Sequence, residues 1–211
     1  MSDQEPRCSL SKAAPKVLIL GAHGQIARVA TDLFLEHTDA RLTLYLRKAK
    51  RLKLPGHADR VRIIEGDVLD SKMLESALAG QDVVYANLAG QLEQQARCIV
   101  QAMNKTGVKR LIFISSMGIY DEVPGERHGS ILDPYRKAAS VIEASGLAYS
   151  ILRPAWLDDQ DVIDYGTTQK GEAFKNASKT VSRKSVADLV VKLATTPGLE
   201  DRRSLGIHGK S

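Results

Sequence analysis

Cysteine is scarce in this chain: Cys8 and Cys98 are the only two among 211 residues. One lies in a polar tail, the other in a helical pattern, and their spacing fits neither a metal ligand set nor a redox pair. A disulfide-stapled scaffold is excluded, and two reduced thiols with no metal site are expected. Long apolar runs are also missing, since no stretch approaches the ~20 residues that cross a bilayer. The opening Met1-Ser-Asp-Gln-Glu-Pro-Arg7 has no signal-peptide hydrophobic segment, so a cytoplasmic protein is expected. No internal repeat or low-complexity segment appears. Neither sign of charge dominates: 30 Lys and Arg against 25 Asp and Glu give a net charge of +5. Five of the cations are Arg47, Lys48, Lys50, Arg51 and Lys53. An excess gathered into one segment suits a local anion site or a solvated face better than a duplex-binding surface. Neither nucleic acid nor membrane is therefore an expected partner.

What remains is 43% hydrophobic and 26% charged, ordinary for a globular protein with a sizeable core. Residues 1–15 are polar and aperiodic and read as a disordered lead-in. From Lys16 onward, apolar strands alternate with helical patterns. Expected strands are Val17–Leu20, Leu42–Leu46, Val61–Glu65, Asp82–Ala86, Arg110–Ile114, Tyr149–Arg153 and a short one near Leu205–Ile207. Expected helices run from about Gln25 to His37, Ser71 to Ala79, Leu92 to Lys105 and Tyr135 to Ser145. A further helix opens at Ser185-Val-Ala-Asp188, which has capping-box form. Residues 158–181 read as short strands and loops. This alternation predicts an α/β fold with a doubly wound, Rossmann-type parallel sheet in a single domain over residues 16–211, carrying a small C-terminal substrate region.

In such a sheet, ligands bind at the carboxyl ends of the strands. The first of these ends is Gly21-Ala-His-Gly-Gln-Ile-Ala27, which joins an all-apolar strand to an amphipathic helix. Gly21 permits a sharp turn, Gly24 lets backbone N–H groups approach a pyrophosphate, and Ala27 brings the helix close to the strand. The cofactor-binding candidates here are Gly21, His23, Gly24, Gln25 and Ile26. The second strand ends in Leu46-Arg47-Lys48, where an NAD site usually has a carboxylate for the ribose 2′-hydroxyl. A guanidinium there is a forked donor for a 2′-phosphate, so NADP(H) is expected over NAD(H). Asp67, followed by Val68, can accept from the adenine amino group or cap the next turn. Asn87, Leu88 and Ala89 would let the backbone lie along a cofactor. Ser115 to Tyr120 and Arg153 with Pro154 complete the strand ends, and Lys48, Ser115, Arg153 and Pro154 join the cofactor-binding candidates. Trp156, the only tryptophan, reads as cover for the core or as a wall of the pocket.

Taken together, these strand ends resemble the atypical short-chain dehydrogenase/reductase superfamily, in particular its single-domain, NAD(P)H-binding, NmrA-like members. The likeness rests on Gly21–Ala27, Glu65-Gly-Asp-Val68, Ile114-Ser-Ser-Met-Gly118, Ser145–Pro154 and Val181–Asp188. It implies that Gly21, Gly24, Arg47, Asp67 and Asn87 touch the cofactor. Ser115, Met117 and Tyr120 would line the nicotinamide side. His23 stands where such proteins often have Thr or Ser.

The superfamily's usual catalytic pair, Tyr-x-x-x-Lys, is absent. Tyr135 is followed four residues later by Ala139, and Lys137 lies roughly 200° around the helix, so it cannot replace the missing lysine. Hydride chemistry belongs to the nicotinamide, so a reductase of a small or flat acceptor (flavin, quinone or carbonyl compound) is the leading expectation. Ser115, Tyr120 and Tyr135 are its candidate catalytic residues, with Ser116 and His128 as further polar contacts. The alternative is a non-catalytic NADP(H) redox sensor that regulates a protein partner. A monomer or a homodimer suits both.

Overall fold

In the computed structural model, the strand that precedes the glycine turn lies in the middle of the sheet. The structure describes residues 13–52, 58–126 and 128–210. Cys8, Lys53 and most of the expected lead-in fall outside them. β1 (Lys16–Leu20) sends Val17 and Ile19 to one face and Leu18 and Leu20 to the other, and all four are fully buried. A strand covered on both sides is apolar at every position, and for that reason its run reads without alternation.

β1 pairs in parallel with β2 (Arg41–Leu46) on one side and with β4 (Val83–Ala86) on the other. Beyond them lie β3 (Val61–Glu65), β5 (Arg110–Ile114), β6 (Ala148–Pro154) and β10 (Arg203–His208), giving the order β3-β2-β1-β4-β5-β6-β10-β8. β8 (Gly166–Gln169) runs antiparallel against β10 and closes the edge. β7 (Trp156–Asp158) and β9 (Thr180–Ser182) form a separate parallel ribbon. The strand order reverses between β1 and β4, which opens a crevice above their carboxyl ends.

Among the described residues, five α-helices cover the two faces. α1 (Gln25–His37) and α5 (Arg183–Thr195) pack together on one side. α2 (Ser71–Leu78), α3 (Leu92–Thr106) and α4 (Asp133–Glu143) cover the other. α1 buries Ile26, Ala27, Ala30, Leu33 and Phe34 at helical spacing.

Two helix starts differ from the sequence reading. α4 begins at Asp133, so that Pro134 lies within its first turn, where its missing N–H has no cost. α5 begins at Arg183, and its cap is Ser182, whose hydroxyl accepts from the Ser185 N–H at 2.9 Å. The capping box expected at Ser185-x-x-Asp188 does not form, because Ser185 already lies inside the helix; the Asp188 carboxylate accepts from the Tyr165 hydroxyl. α2 is capped by Asp70, which accepts from the Met73 N–H at 3.1 Å. Asp70→Ala is expected to cost about 1 kcal/mol, read as a lower urea midpoint with an unchanged m-value.

Candidate functional site

The crevice is built around a turn that tolerates no side chains. Gly21 adopts φ +78°, and its N–H donates to the Tyr45 carbonyl at 2.9 Å. A Cβ on Gly21 would overlap the Asn87 carbonyl, and one on Gly24 would overlap the Asn87 side-chain amide. The turn after β1 therefore nests directly against the segment after β4, with the Asn87 N–H anchored on the Leu20 carbonyl at 2.9 Å. α1 starts here with no side-chain cap and no acid in its first turn. Its leading N–H groups and the positive end of its dipole thus remain for an anion.

A recess of about 220 Å³ extends from this turn and is lined by Gly21, Gly24, Arg47, Asp67, Asn87 and Gln95, among others. Of the sequence candidates, His23, Val68, Leu88 and Ala89 also line it. Arg47 stands at its lip, with a side chain 75% exposed and its guanidinium 3.9 Å from the Asp67 carboxylate. Glu65 holds this loop by accepting from the Ala49 N–H at 2.9 Å. Lys48 is exposed and left-handed, with φ +59°.

Asp67 lines the recess and also caps the turn after β3. Its Oδ1 accepts from the Leu69 N–H at 3.0 Å, while Oδ2 faces Arg47. Its backbone carbonyl accepts from the Tyr45 hydroxyl at 2.8 Å. Burial, then the charges of Asp70 and Asp67, push that phenol up to about 12, so it remains a donor at ordinary pH. Gly66 makes the contact possible, because a Cβ there would overlap the Tyr45 hydroxyl. Tyr45, Leu46, Gly66 and Gln95 line the recess without being among the sequence candidates. For Gln95 a signal existed: it is a polar side chain among the buried positions Leu92, Ala96, Ile99 and Met103 of α3.

Gln25, Ile26, Lys48, Ser115, Arg153 and Pro154 do not line this recess. The Gln25 side-chain Oε1 accepts from Arg183 Nε at 3.0 Å, and Ile26 packs in the core. Pro154 is buried, and its carbonyl accepts from the Met117 N–H at 3.2 Å.

Arg153 requires a correction. It is fully buried, and its guanidinium is paired with Glu122 and donates to the Ser204 hydroxyl and to the carbonyls of Ser204 and Thr168. With its donors spent inside the fold, it is not free to hold a cofactor. Tyr120 is corrected likewise. Its ring lies 5.1 Å from the Arg153 guanidinium, and its hydroxyl donates to Glu143 at 2.7 Å. Burial raises its pKa, which disfavours a role as a proton donor to substrate. Trp156 is 61% exposed rather than cover for the core.

Ser115 lies at the end of β5 and is buried, and its hydroxyl has no protein partner among the described residues. Ser116 donates to the neighbouring Met117 carbonyl. His128 packs its ring against Gly118 and pairs Nε2 with Glu126 at 3.0 Å. Tyr135 is half-buried against the core on the α4 side, whereas Ala139 is fully buried and Lys137 exposed. A tyrosine–lysine contact does exist elsewhere, between Lys192 and Tyr165 at 3.2 Å. It is on the flank of α5, where burial and Asp188 raise the Tyr165 pKa, the opposite of what activation of a catalytic tyrosine requires.

The geometry fits a dinucleotide: a cradle that added Cβ atoms would fill, uncapped amides, and a cation at the adenosine end. Comparison with known proteins agrees. Residues 21–197 match the family described as NAD(P)H-binding. A Rossmann-fold NAD(P)-binding family protein from Shigella flexneri is 43% identical, with a TM-score of 0.82 over 93% of this chain and 94% of that one. A short-chain dehydrogenase/reductase from Veillonella parvula, solved in complex with NADP, is 30% identical with a TM-score of 0.84 over 93% and 95% of the two chains. The uncharacterized sugar epimerase YhfK of Bacillus subtilis is 26% identical over 203 residues, covering 89% of this chain and 91% of that protein. This chain belongs to the NAD(P)H-binding family of oxidoreductase-like Rossmann proteins, in the NmrA-like, atypical short-chain dehydrogenase/reductase superfamily.

Proposed function

We propose that this protein is an NADPH-dependent reductase of a small or flat acceptor, such as a flavin, a quinone or a carbonyl compound, and that it works without a tyrosine–lysine acid. The observation that carries the reading is Arg47 at the lip of the recess, with no carboxylate at the end of β2 to receive a ribose hydroxyl. A guanidinium offers paired donors to a phosphate, and the partly exposed Asp67 opposite holds it over the adenosine end. Gly21 and Gly24 would admit the diphosphate to the first amides of α1. The bound nicotinamide would supply the hydride. Ser115, whose hydroxyl finds no protein partner among the described residues, would orient the acceptor, and Tyr135 would border it.

An acceptor that stabilises added charge in its own conjugated ring needs little help from a protein acid. Flavins and quinones fit a site lacking the relay better than simple ketones do. The fully buried Ala139 at the lysine position also favours a second reading, in which the protein senses the NADP(H) redox state and regulates a partner.

One assay separates the two. NADPH oxidation is followed at 340 nm with quinones, flavins and aldehydes, alongside titrations of NADPH and NADP⁺. Turnover with a flat acceptor supports the reductase. Binding without turnover, with unequal affinity for the two redox forms, supports the sensor. Absence of binding by either nucleotide rejects both.

A further inference from the structure

One wall of the nucleotide recess belongs to α3, and its polar contribution is Gln95. The side chain is only 9% exposed and occupies a position whose helical phase faces the core. Its Nε2 donates to the Ala89 carbonyl at 3.3 Å, while among the described residues nothing donates to Oε1. Reversing the amide would set two carbonyl oxygens against each other, so this orientation is fixed by chemistry. A buried acceptor left unpaired costs a protein stability. Leu at the same position would pack without that cost.

The chemistry of the recess narrows what satisfies Oε1. Phosphate oxygens only accept at neutral pH, so neither the diphosphate at the glycine turn nor a 2′-phosphate at Arg47 can donate to it. The donors on an adenosine nucleotide are the exocyclic amine and the sugar hydroxyls. Val68, Leu88 and Ala89 give the recess its apolar surface, suited to the faces of a flat base. Gln95 is tied to Ala89 itself, next to that surface. We propose that Gln95 Oε1 accepts a hydrogen bond from the exocyclic amine of adenine, making Gln95 the residue that selects the base. This rests on the reading of the recess as an NADP(H) site.

The test is calorimetric titration of NADPH and of its hypoxanthine analogue, in which a carbonyl replaces the amine, with apo melting curves recorded in parallel. Wild-type protein is expected to prefer NADPH by roughly tenfold, about the value of one hydrogen bond. In Gln95→Leu, NADPH affinity is expected to fall by about that factor and most of the preference to vanish, while the apo midpoint stays equal or rises. Gln95→Met serves the same purpose if the leucine variant does not fold. Equal losses for both nucleotides would assign the bond to a sugar hydroxyl and overturn the proposal. So would unchanged binding, or a fallen apo midpoint with the preference intact, since that is the mark of a purely structural residue. Wild-type protein that binds neither nucleotide would reject the cofactor reading first, and the base assignment with it.

Discussion

Glu122→Ala is expected to destabilise the protein by about 3–5 kcal/mol, the cost of leaving a buried charge without its partner. The Glu122 side chain is 5% exposed and that of Arg153 is 0% exposed. The carboxylate accepts from the guanidinium and also from the N–H groups of Gly118 at 3.0 Å and Tyr120 at 2.8 Å. The Glu122 carbonyl accepts from the Phe174 N–H at 2.8 Å. The pair therefore ties the loop after β5 to β6, β8 and β10 at once. Removing the acid alone strands the guanidinium beneath Tyr120 and Phe174. Replacing both partners with apolar residues, as in Arg153→Met with Glu122→Leu, is expected to recover much of the loss, because desolvating two charges offsets most of what their attraction contributes. Urea unfolding of the two single variants and the double variant measures this directly. A loss below about 1 kcal/mol for Glu122→Ala would mean that water reaches the pair. The same series tests whether Arg153 serves the fold alone: if it bound cofactor, the double variant would keep its stability and lose NADPH affinity.

Arg47→Ala is expected to lower NADPH affinity by roughly ten- to a hundredfold, the range for one or two charge-assisted hydrogen bonds. NADH binding is expected to change little, so the preference between the cofactors should collapse. The side chain is 75% exposed, and its attraction for a phosphate is therefore screened by salt. The wild-type preference should narrow between low and high ionic strength, and the variant should show almost no such dependence. Titration of both reduced cofactors at two salt concentrations is sufficient. Equal affinities in the wild-type protein, unmoved by the substitution, would return Arg47 to the role of a solvated loop residue.

The parts of this fold that could be read in the sequence are those fixed by local physics. Val17–Leu20 is a strand covered on both faces, and no other arrangement suits an uninterrupted apolar run that stops at Gly21. β3 and β5 keep their expected limits, Val61–Glu65 and Arg110–Ile114. The strand-end rule also brought Gly24, Arg47, Asp67 and Asn87 into one recess. It failed where a distant loop folds over the strand end. Arg153 stands at the end of β6, but its partner is 31 residues away in a loop with no periodicity of its own. Nothing near Arg153 announces that it will be buried, and Tyr120 was misread because it shares that loop. The cap of α5 was misplaced for a different reason. Ser182 and Ser185 both stand three residues before a polar residue, and only the end of β9 decides between them. Trp156 is exposed because the β7–β9 ribbon pairs its backbone without covering its ring.

The amides beginning α1 are expected to hold a diphosphate while Arg47 grips the added phosphate of the adenosine. A crystal structure of the protein grown with NADPH tests it most directly. The expected result is the diphosphate at the Gly21–Ile26 turn, with the 2′-phosphate within hydrogen-bond distance of Arg47. NADPH lodged elsewhere, for instance in the hollow between the starts of α3 and α4, would contradict the claim. So would a 2′-phosphate turned to solvent with Arg47 pointing away.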